Sequence, residues 1–362
     1  MISFENVEKS DVKYEILYPY IRIAHNFFFY RHYYVLNEDN IPKDKPLVVI
    51  CNHQNGLSDA LGILFSFHKD GRRPVFIARA DIFKKDFIAK LLRFLRIMPA
   101  YRAVDIGREK VGQNTKIFSK AGKIVADNGV ISLFPEAGHE DCHHLGTFKG
   151  GFARVAFAAA EELNFEKPVY ILPCSNHYSD YFGFHHKLII TVGQPFSFED
   201  LYDIYKEYPE KARKILVQRS REHVKPLMLV IEDKVLYEEY DILRTLYAPI
   251  LVKKQKQKVS YYPNILKAEQ QVVTSLDQLK INQEEQYQEM MKEANLYAKY
   301  LNKLQIFDWV LAENLTFGNF LLRLLYAVLL IPVMLFGFVV NFVPYNASTL
   351  VTRKIKDPML HN

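Results

Sequence analysis

Leu47-Val48-Val49-Ile50-Cys51-Asn52-His53-Gln54-Asn55-Gly56-Leu57-Ser58-Asp59 is the stretch on which the fold turns. It begins as a short, unbroken apolar run, the pattern of a strand buried on both faces. It ends with a histidine and an aspartate placed just past that strand, where an apolar helical pattern starts at Leu57. A strand that closes in Asn-His and turns into a helix sets an imidazole at the carboxyl edge of a sheet. Open α/β sheets bind their ligands in crevices at that edge. An imidazole paired with a carboxylate can take a proton from a hydroxyl. No serine or cysteine nucleophile is required if the substrate supplies the hydroxyl. The plainer alternative is a turn histidine followed by helix-capping residues, since Ser58-Asp59 is also capping chemistry.

On either side of this stretch, strand and helix signals alternate. Strands are expected at Pro46–Cys51, Pro74–Ala78, Ile97–Ala100, Gly129–Phe134, Val169–Cys174 and Lys187–Val192, with a short one at Tyr33 to Leu36. Helices are expected at Leu57–His68, Lys84–Leu95, Lys110–Asp127 and Gly151–Leu163. The alternation implies an α/β fold, a mostly parallel sheet covered by helices on both faces. The expected organisation is an aromatic amphipathic N-terminal helix at a membrane interface (1–40), the α/β domain (41–198), a helical extension (199–314) and a hydrophobic membrane-associated segment (315–362).

The N-terminal helix covers residues 11 to 30 and is expected to break near Pro19. It carries Phe27-Phe28-Phe29-Tyr30 beside Arg31-His32, and aromatics beside basic residues suit a membrane interface. From 199 to 310 glycine nearly disappears and helical periodicity takes over, with Tyr287, Met290, Ala294, Tyr297, Leu301 and Leu304 at spacings of three and four. The basic run Lys253 to Lys258 reads as a solvated loop or helix end. Leu324 to Val340 holds no charged residue. At ~1.5 Å per residue it is slightly short of a hydrocarbon core, so it spans with flanking help, re-enters as a hairpin about Pro332, or lies buried. Membrane contact is the expected outcome. Arg353-Lys354-Ile355-Lys356 behind it would face the cytoplasm if the segment crosses.

The chain has 362 residues, 49% of them apolar, which is enough for a sizeable core and argues against disorder. Lys plus Arg number 47 against 41 Asp plus Glu, a net charge of +6. That modest excess suits anionic headgroups, phosphate substrates or an acidic donor, and no nucleic-acid partner is expected. Three cysteines (Cys51, Cys142, Cys174) are too few for a disulfide framework and point to a reducing compartment. The first residues lack a secretory-signal pattern. The catalytic domain is therefore expected at a membrane, on its cytoplasmic side.

Three further blocks lie at predicted strand ends. Tyr101-Arg102 follows Met98-Pro99-Ala100, Phe134-Pro135-Glu136-Ala137-Gly138 follows the next strand, and Ile171-Leu172-Pro173 closes another. In this order the blocks resemble the glycerophospholipid acyltransferase family, which includes lysophosphatidate and glycerol-3-phosphate acyltransferases. The resemblance covers about residues 30 to 200 and rests on the ordered set, each block being weak by itself. Two departures stand out. Five residues separate His53 from Asp59 where the family has four, a spacing found in the glycerol-3-phosphate and dihydroxyacetone-phosphate branch. Ala137 stands where the family has glycine.

The resemblance implies an O-acyltransferase. His53 and Asp59 would be catalytic, His53 taking the proton of a glycerol hydroxyl as it attacks a thioester. Backbone N–H groups of the histidine loop would hold the oxyanion. Asn52, Arg102, Glu136, Gly138 and Lys149 would bind substrate, with Arg102 on the acceptor's phosphate and Glu136 orienting Arg102 or a hydroxyl. The acceptor would be 1-acylglycerol 3-phosphate, with glycerol 3-phosphate, dihydroxyacetone phosphate or another lysolipid as rivals. Acyl-CoA or acyl carrier protein would be the co-substrate, with no resident cofactor and no metal. The run His139-Glu140-Asp141-Cys142-His143-His144 is rich in metal-ligand types, but contiguous ligands cannot all face one ion, so a polar loop is expected there rather than a metal hydrolase. No chemistry is assigned to Tyr178-Ser179-Asp180-Tyr181, expected in a loop. A catalytically silent membrane scaffold is the reading from another class. The joint presence of His53, Asp59, Arg102 and Glu136 favours the enzyme.

Overall fold

The computed structural model describes residues 6–9, 11–101, 114–136, 142–181, 183–311 and 316–352. The chain divides into two compact units, Met1–Ile231 and Glu232–Asn362. Unit 1 is built on a sheet of strands β1 (His32–Leu36), β2 (Leu47–Cys51), β3 (Val75–Arg79), β4 (Ile97–Ala100), β5 (Val130–Leu133), β6 (Tyr170–Tyr178), β7 (Lys187–Val192) and β8 (Phe196–Ser197). Their order across the sheet is β1-β7-β6-β2-β5-β3-β4, and β8 pairs with β6. β2 lies parallel to both β5 and β6, and β3 to β5 and β4; β7 and β8 run antiparallel to β6. The mostly parallel sheet expected from the sequence is therefore present, with an antiparallel side beyond β6.

β2 is central and is fully buried along its length. Its side chains alternate between two cores, as the two-residue period of a strand demands. Val48 and Ile50 face one core, covered by α4 (Asn114–Ala126), α5 (Gly151–Glu162), α6 (Tyr202–Glu207) and α7 (Pro209–Val224). Leu47, Val49 and Cys51 face the other, covered by Ile63 and Phe67 from α2 (Gly56–Ser66) and its end and by Leu92 from α3 (Asp86–Phe94). Each such aliphatic side chain contributes roughly 1.5–3 kcal/mol on burial, so the strand that carries the His-Asp stretch is among the best-anchored pieces of chain.

Three expectations are corrected here. The N-terminal helix α1 (Val12–Ile23) is not broken at Pro19 but runs through it into a π-helical turn, Ala24–Phe29. Pro19 lies on the exposed face, where the carbonyl it leaves unpaired can bond water. Tyr14 and Tyr18, one turn apart, are the buried side chains of α1 and pack edge-on against Phe94 and Phe65. Val12, Ile16, Tyr20, Phe27 and Phe28 are exposed. Second, β6 does not close at Pro173 but continues to Tyr178, pairing with β7 through Tyr178. Third, the α/β unit does not end near 198. Ala212, Leu216 and Val224 of α7 belong to its core, and β1, assigned above to the N-terminal segment, is a strand of its sheet.

Unit 2 is helical. α8 (Tyr237–Lys254), α9 (Tyr262–Asn282) and α10 (Glu284–Leu304) pack together around Leu243, Val252, Leu266, Val273, Tyr287 and Met291. On α10 the inward stripe is Tyr287, Met291 and Ala294, so Met291 takes the place expected for Met290, and Leu304 is exposed. Lys253 to Lys258 form the exposed end of α8 and the loop beyond it. After the short α11 (Asp308–Leu311), α12 (Phe317–Thr352) is one continuous helix through Pro332. The chain does not turn back in a hairpin at Pro332, and none of the apolar stretch Phe317–Val343 is buried within it. Those 27 residues are long and apolar enough to cross a membrane, reaching ~40 Å at ~1.5 Å per residue.

Candidate active site

The site is assembled where β2 hands over to α2. Asn55 occupies the N-cap position, and Gly56 opens the helix at φ +37°, a left-handed backbone that suits a residue without Cβ. This turn absorbs the long spacing between His53 and Asp59 and folds the carboxylate back over the loop. Asp59 Oδ2 lies 2.8 Å from His53 Nδ1 and accepts the backbone N–H groups of Gln54 and Asn55, each at 2.8 Å. Asp59 Oδ1 accepts the Tyr178 hydroxyl at 2.6 Å. Asp59 is wholly buried, and these four partners compensate for the water it has lost. It is a brace reaching back to the loop, rather than an ordinary helix cap.

The reach to β6 depends on how close α2 comes to the sheet. A Cβ at Gly62 would meet Ile190 Cδ1 of β7 at 2.8 Å, so glycine lets the helix sit this low without displacing that side-chain tip. The Tyr33 hydroxyl donates to the Gly62 carbonyl at 2.7 Å and holds it there. Gly62 stands one turn after Asp59, and that approach brings the carboxylate to Tyr178.

The His53 ring stacks on Phe134 at a centroid distance of 4.5 Å and 15° between planes. With Nδ1–H directed at Asp59, the lone pair lies on Nε2, and the imidazole is held by a ring face on one side and a carboxylate at one edge. Glu136, two residues after Phe134, accepts the His53 backbone N–H at Oε1 (3.1 Å) and the Gly146 N–H at Oε2 (3.0 Å). Burial pushes its carboxyl up to about 7, against the downward pull of those two N–H groups. Glu136 thus clamps the histidine loop to segment 142–149. In the same segment the Gln54 side-chain amide donates to the Cys142 carbonyl at 3.0 Å, and Lys149 N–H donates to the Pro135 carbonyl at 2.7 Å.

These contacts change several expected roles. Asn52, expected to bind substrate, turns both its polar groups into the protein. It is fully buried, donating from Nδ2 to the Asn176 carbonyl (3.0 Å) and accepting the Asn176 N–H at Oδ1 (2.7 Å), which locks the end of β2 to β6. The N–H groups of His53, Gln54 and Asn55 are committed to Glu136 and Asp59, so the histidine loop does not offer them to an oxyanion. Glu136 is a clamp between backbone segments. Lys149 lies exposed just before α5. Arg102 and Gly138 lie outside the described residues, as do Ala137 and His139 to Asp141. Of the polar loop, His143 is buried, stacked on His177 (5.5 Å) and 3.2 Å from the Tyr181 hydroxyl through Nδ1.

The residue that sequence reasoning missed is Tyr178. The expected strand stops at Cys174 and Tyr178 is expected in a loop, whereas the structure carries the strand through the polar residues between them. The available signal was the two-residue alternation Leu172, Cys174, Asn176, Tyr178, which continues one face of the strand up to Asp59.

Residues 32–176, the segment that holds this geometry, match the model of the family described as Acyltransferase. A protein of Mycoplasma pneumoniae named probable 1-acyl-sn-glycerol-3-phosphate acyltransferase is 27% identical over 127 residues, which cover 34% of this chain and 44% of that protein. By these matches the α/β unit is similar to the glycerophospholipid acyltransferase family. The chain spans less than half the length of that relative. A solved structure, the 1-acyl-sn-glycerophosphate (LPA) acyltransferase PlsC of Thermotoga maritima, superposes with a TM-score of 0.37 and 20% identity over 59% of this chain and 79% of that one. Within the acyltransferase unit, the described sites gather at one edge of the sheet: the loop after β2, the loop after β5 and the extended end of β6.

Proposed function

We propose that this protein transfers a fatty acyl group from a thioester to the free hydroxyl of 1-acylglycerol 3-phosphate. The observation that carries the reading is the His53–Asp59 pair, 2.8 Å apart, with the carboxylate fully buried and braced on three further donors. His53 Nε2 takes the proton of the acceptor hydroxyl as its oxygen attacks the thioester carbonyl. Asp59, held on the opposite nitrogen, favours the imidazolium that forms. The C–S bond then breaks, and the imidazolium returns its proton to the departing thiolate. The products are the diacyl ester and a free thiol.

Arg102 and Lys149 supply the positive charge for the acceptor's phosphate, Arg102 with the planar fork that suits a phosphate. The donor is acyl-CoA or acyl carrier protein, and no resident cofactor takes part. α12 anchors the chain in a membrane, by its length and apolar composition, and the acyltransferase unit faces the cytoplasm. The five-residue gap between His53 and Asp59 supports a second reading, with glycerol 3-phosphate or dihydroxyacetone phosphate as acceptor.

The test is thiol release from acyl-CoA by the full chain, with 1-acylglycerol 3-phosphate, glycerol 3-phosphate and dihydroxyacetone phosphate offered separately and His53→Ala as control. Release that depends on His53 and is greatest with the lysolipid is the expected result. Preference for a smaller phosphate moves the protein to the second reading. No His53-dependent release with acyl-CoA or acyl carrier protein as donor overturns both.

A further inference from the structure

α3 leaves the same edge of the sheet that carries His53, after the loop that follows β3. Its inner face is accounted for: Ala89 is buried, Leu92 packs on the core beneath α2, and Phe94 meets Tyr14. Its outer face is not. Phe87 is 75% exposed and Leu91, one turn on, is 42% exposed; Ile82 in the lead-in is 41% exposed. Lys84, Lys85 and Lys90 surround them, all exposed, and no ion pair joins any of the three to a carboxylate among the described residues. Leu57, four residues after His53, is also largely exposed. A soluble surface ordinarily covers a phenylalanine and a leucine at this spacing or replaces them with polar residues.

We propose that α3 and its lead-in are an interfacial foot that seats the His53 edge of the sheet on an anionic phospholipid surface. The inference rests on the reading that the acceptor is a membrane lipid. Charge and apolarity together select the occupant. Lysines ringing an apolar stripe meet phosphate headgroups while Phe87 and Leu91 enter the boundary of the acyl region. An acidic carrier protein would satisfy the lysines, but it would leave the apolar stripe without comparable partners. Through this contact an acceptor could pass from the leaflet to His53 without crossing bulk water, where its acyl chain is poorly soluble.

The experiment places an environment-sensitive fluorophore on Leu91→Cys in the full chain, reconstituted with phosphatidylglycerol or phosphatidylcholine vesicles carrying a lipid-borne quencher. The unsubstituted chain, with its half-buried Cys142, gives the background, and Lys214→Cys on α7 is the solvent-facing control. Quenching at position 91 in phosphatidylglycerol, weaker in phosphatidylcholine and absent at position 214, is expected. A label at 91 that stays in water on phosphatidylglycerol overturns the proposal. Equal quenching in both lipids overturns its anionic commitment. Protection of the label by acyl carrier protein with no vesicles present replaces the bilayer with a protein. In turnover, Phe87→Ser with Leu91→Ser should raise the apparent KM for a vesicle-borne acceptor about 10-fold and leave a short-chain, water-soluble acceptor unaffected. The quenching measurement needs no turnover, so failure of the acyl-transfer reading and failure of the foot are separately visible.

Discussion

Asp59 in the α/β unit and Glu269 in the helical unit are both carboxylates buried almost completely, and the two are used differently. Asp59 in the α/β unit is surrounded by backbone N–H groups, a tyrosine hydroxyl and one half-buried imidazole. Glu269 in the helical unit faces Arg244, itself buried, at 2.6 Å. Burial pushes the Glu269 carboxyl up, against the pull of that guanidinium, and Arg244 also pairs with Asp241 at 2.6 Å. A buried carboxylate is therefore no sign of a site in itself. In the first case its cationic partner can gain and lose a proton and lies at the sheet edge where ligands bind. In the second the partner is permanently charged and enclosed between helices, which fixes α8 against α9.

Removing the partner from each carboxylate should separate chemistry from stability. His53→Ala should lower kcat about 10³-fold or more and leave thermal unfolding nearly unchanged, because three other donors still hold Asp59. Wild-type turnover in that variant would end the comparison on its catalytic side. Arg244→Met should do the reverse and cost about 3–5 kcal/mol in denaturant unfolding by leaving Glu269 buried without its cation. Adding Glu269→Leu should recover most of that loss. Equal stability of Arg244→Met and the parent would show that the helical pair is not a lock.

Glu136 sharpens the contrast through pH. Its folded-state carboxyl sits at about 7, above the ordinary 4.5. Between those values the native chain holds a proton that the unfolded chain has released, so wild-type stability should fall as pH rises from about 4.5 to about 7 and level off beyond. The contribution is on the order of 3 kcal/mol, and Glu136→Gln should remove that slope. Parallel stability–pH curves for the two proteins would refute the assignment. The smallest effect is expected from Tyr178→Phe, about 10-fold in kcat with KM unchanged. Losing one donor leaves the buried Asp59 carboxylate less well compensated and less firmly held against His53 Nδ1. A change in KM with kcat untouched, or a loss of stability with kcat untouched, would make Tyr178 merely structural.

How much of this was legible in the sequence varies by element. β4 and β7 have the bounds their apolar runs indicate, because a strand enclosed on both faces must be apolar throughout. β6 was cut short because its last residues are polar, and they are polar because they enter the site. Asn52 was read as substrate-facing. A short amide side chain beside a catalytic histidine gives no hint from sequence that it spends both its hydrogen-bonding groups on the backbone of a strand 124 residues away.

By itself the sequence determined the alternation that makes a parallel sheet, the placement of His53 and Asp59 after its central strand, and the long apolar stretch of α12. These follow from local rules, the strand and helix periods and the order of residues along the chain. Only the tertiary structure decided which groups close around Asp59, that Glu136 clamps two loops, that α7 belongs to the α/β core, and that Pro332 does not bend α12 back on itself. Those outcomes depend on the close approach of α2 to β6 and β7 over Gly62 and on which strand is neighbour to which. Distance in space between residues far apart in sequence is set by packing as a whole, and no local pattern encodes it.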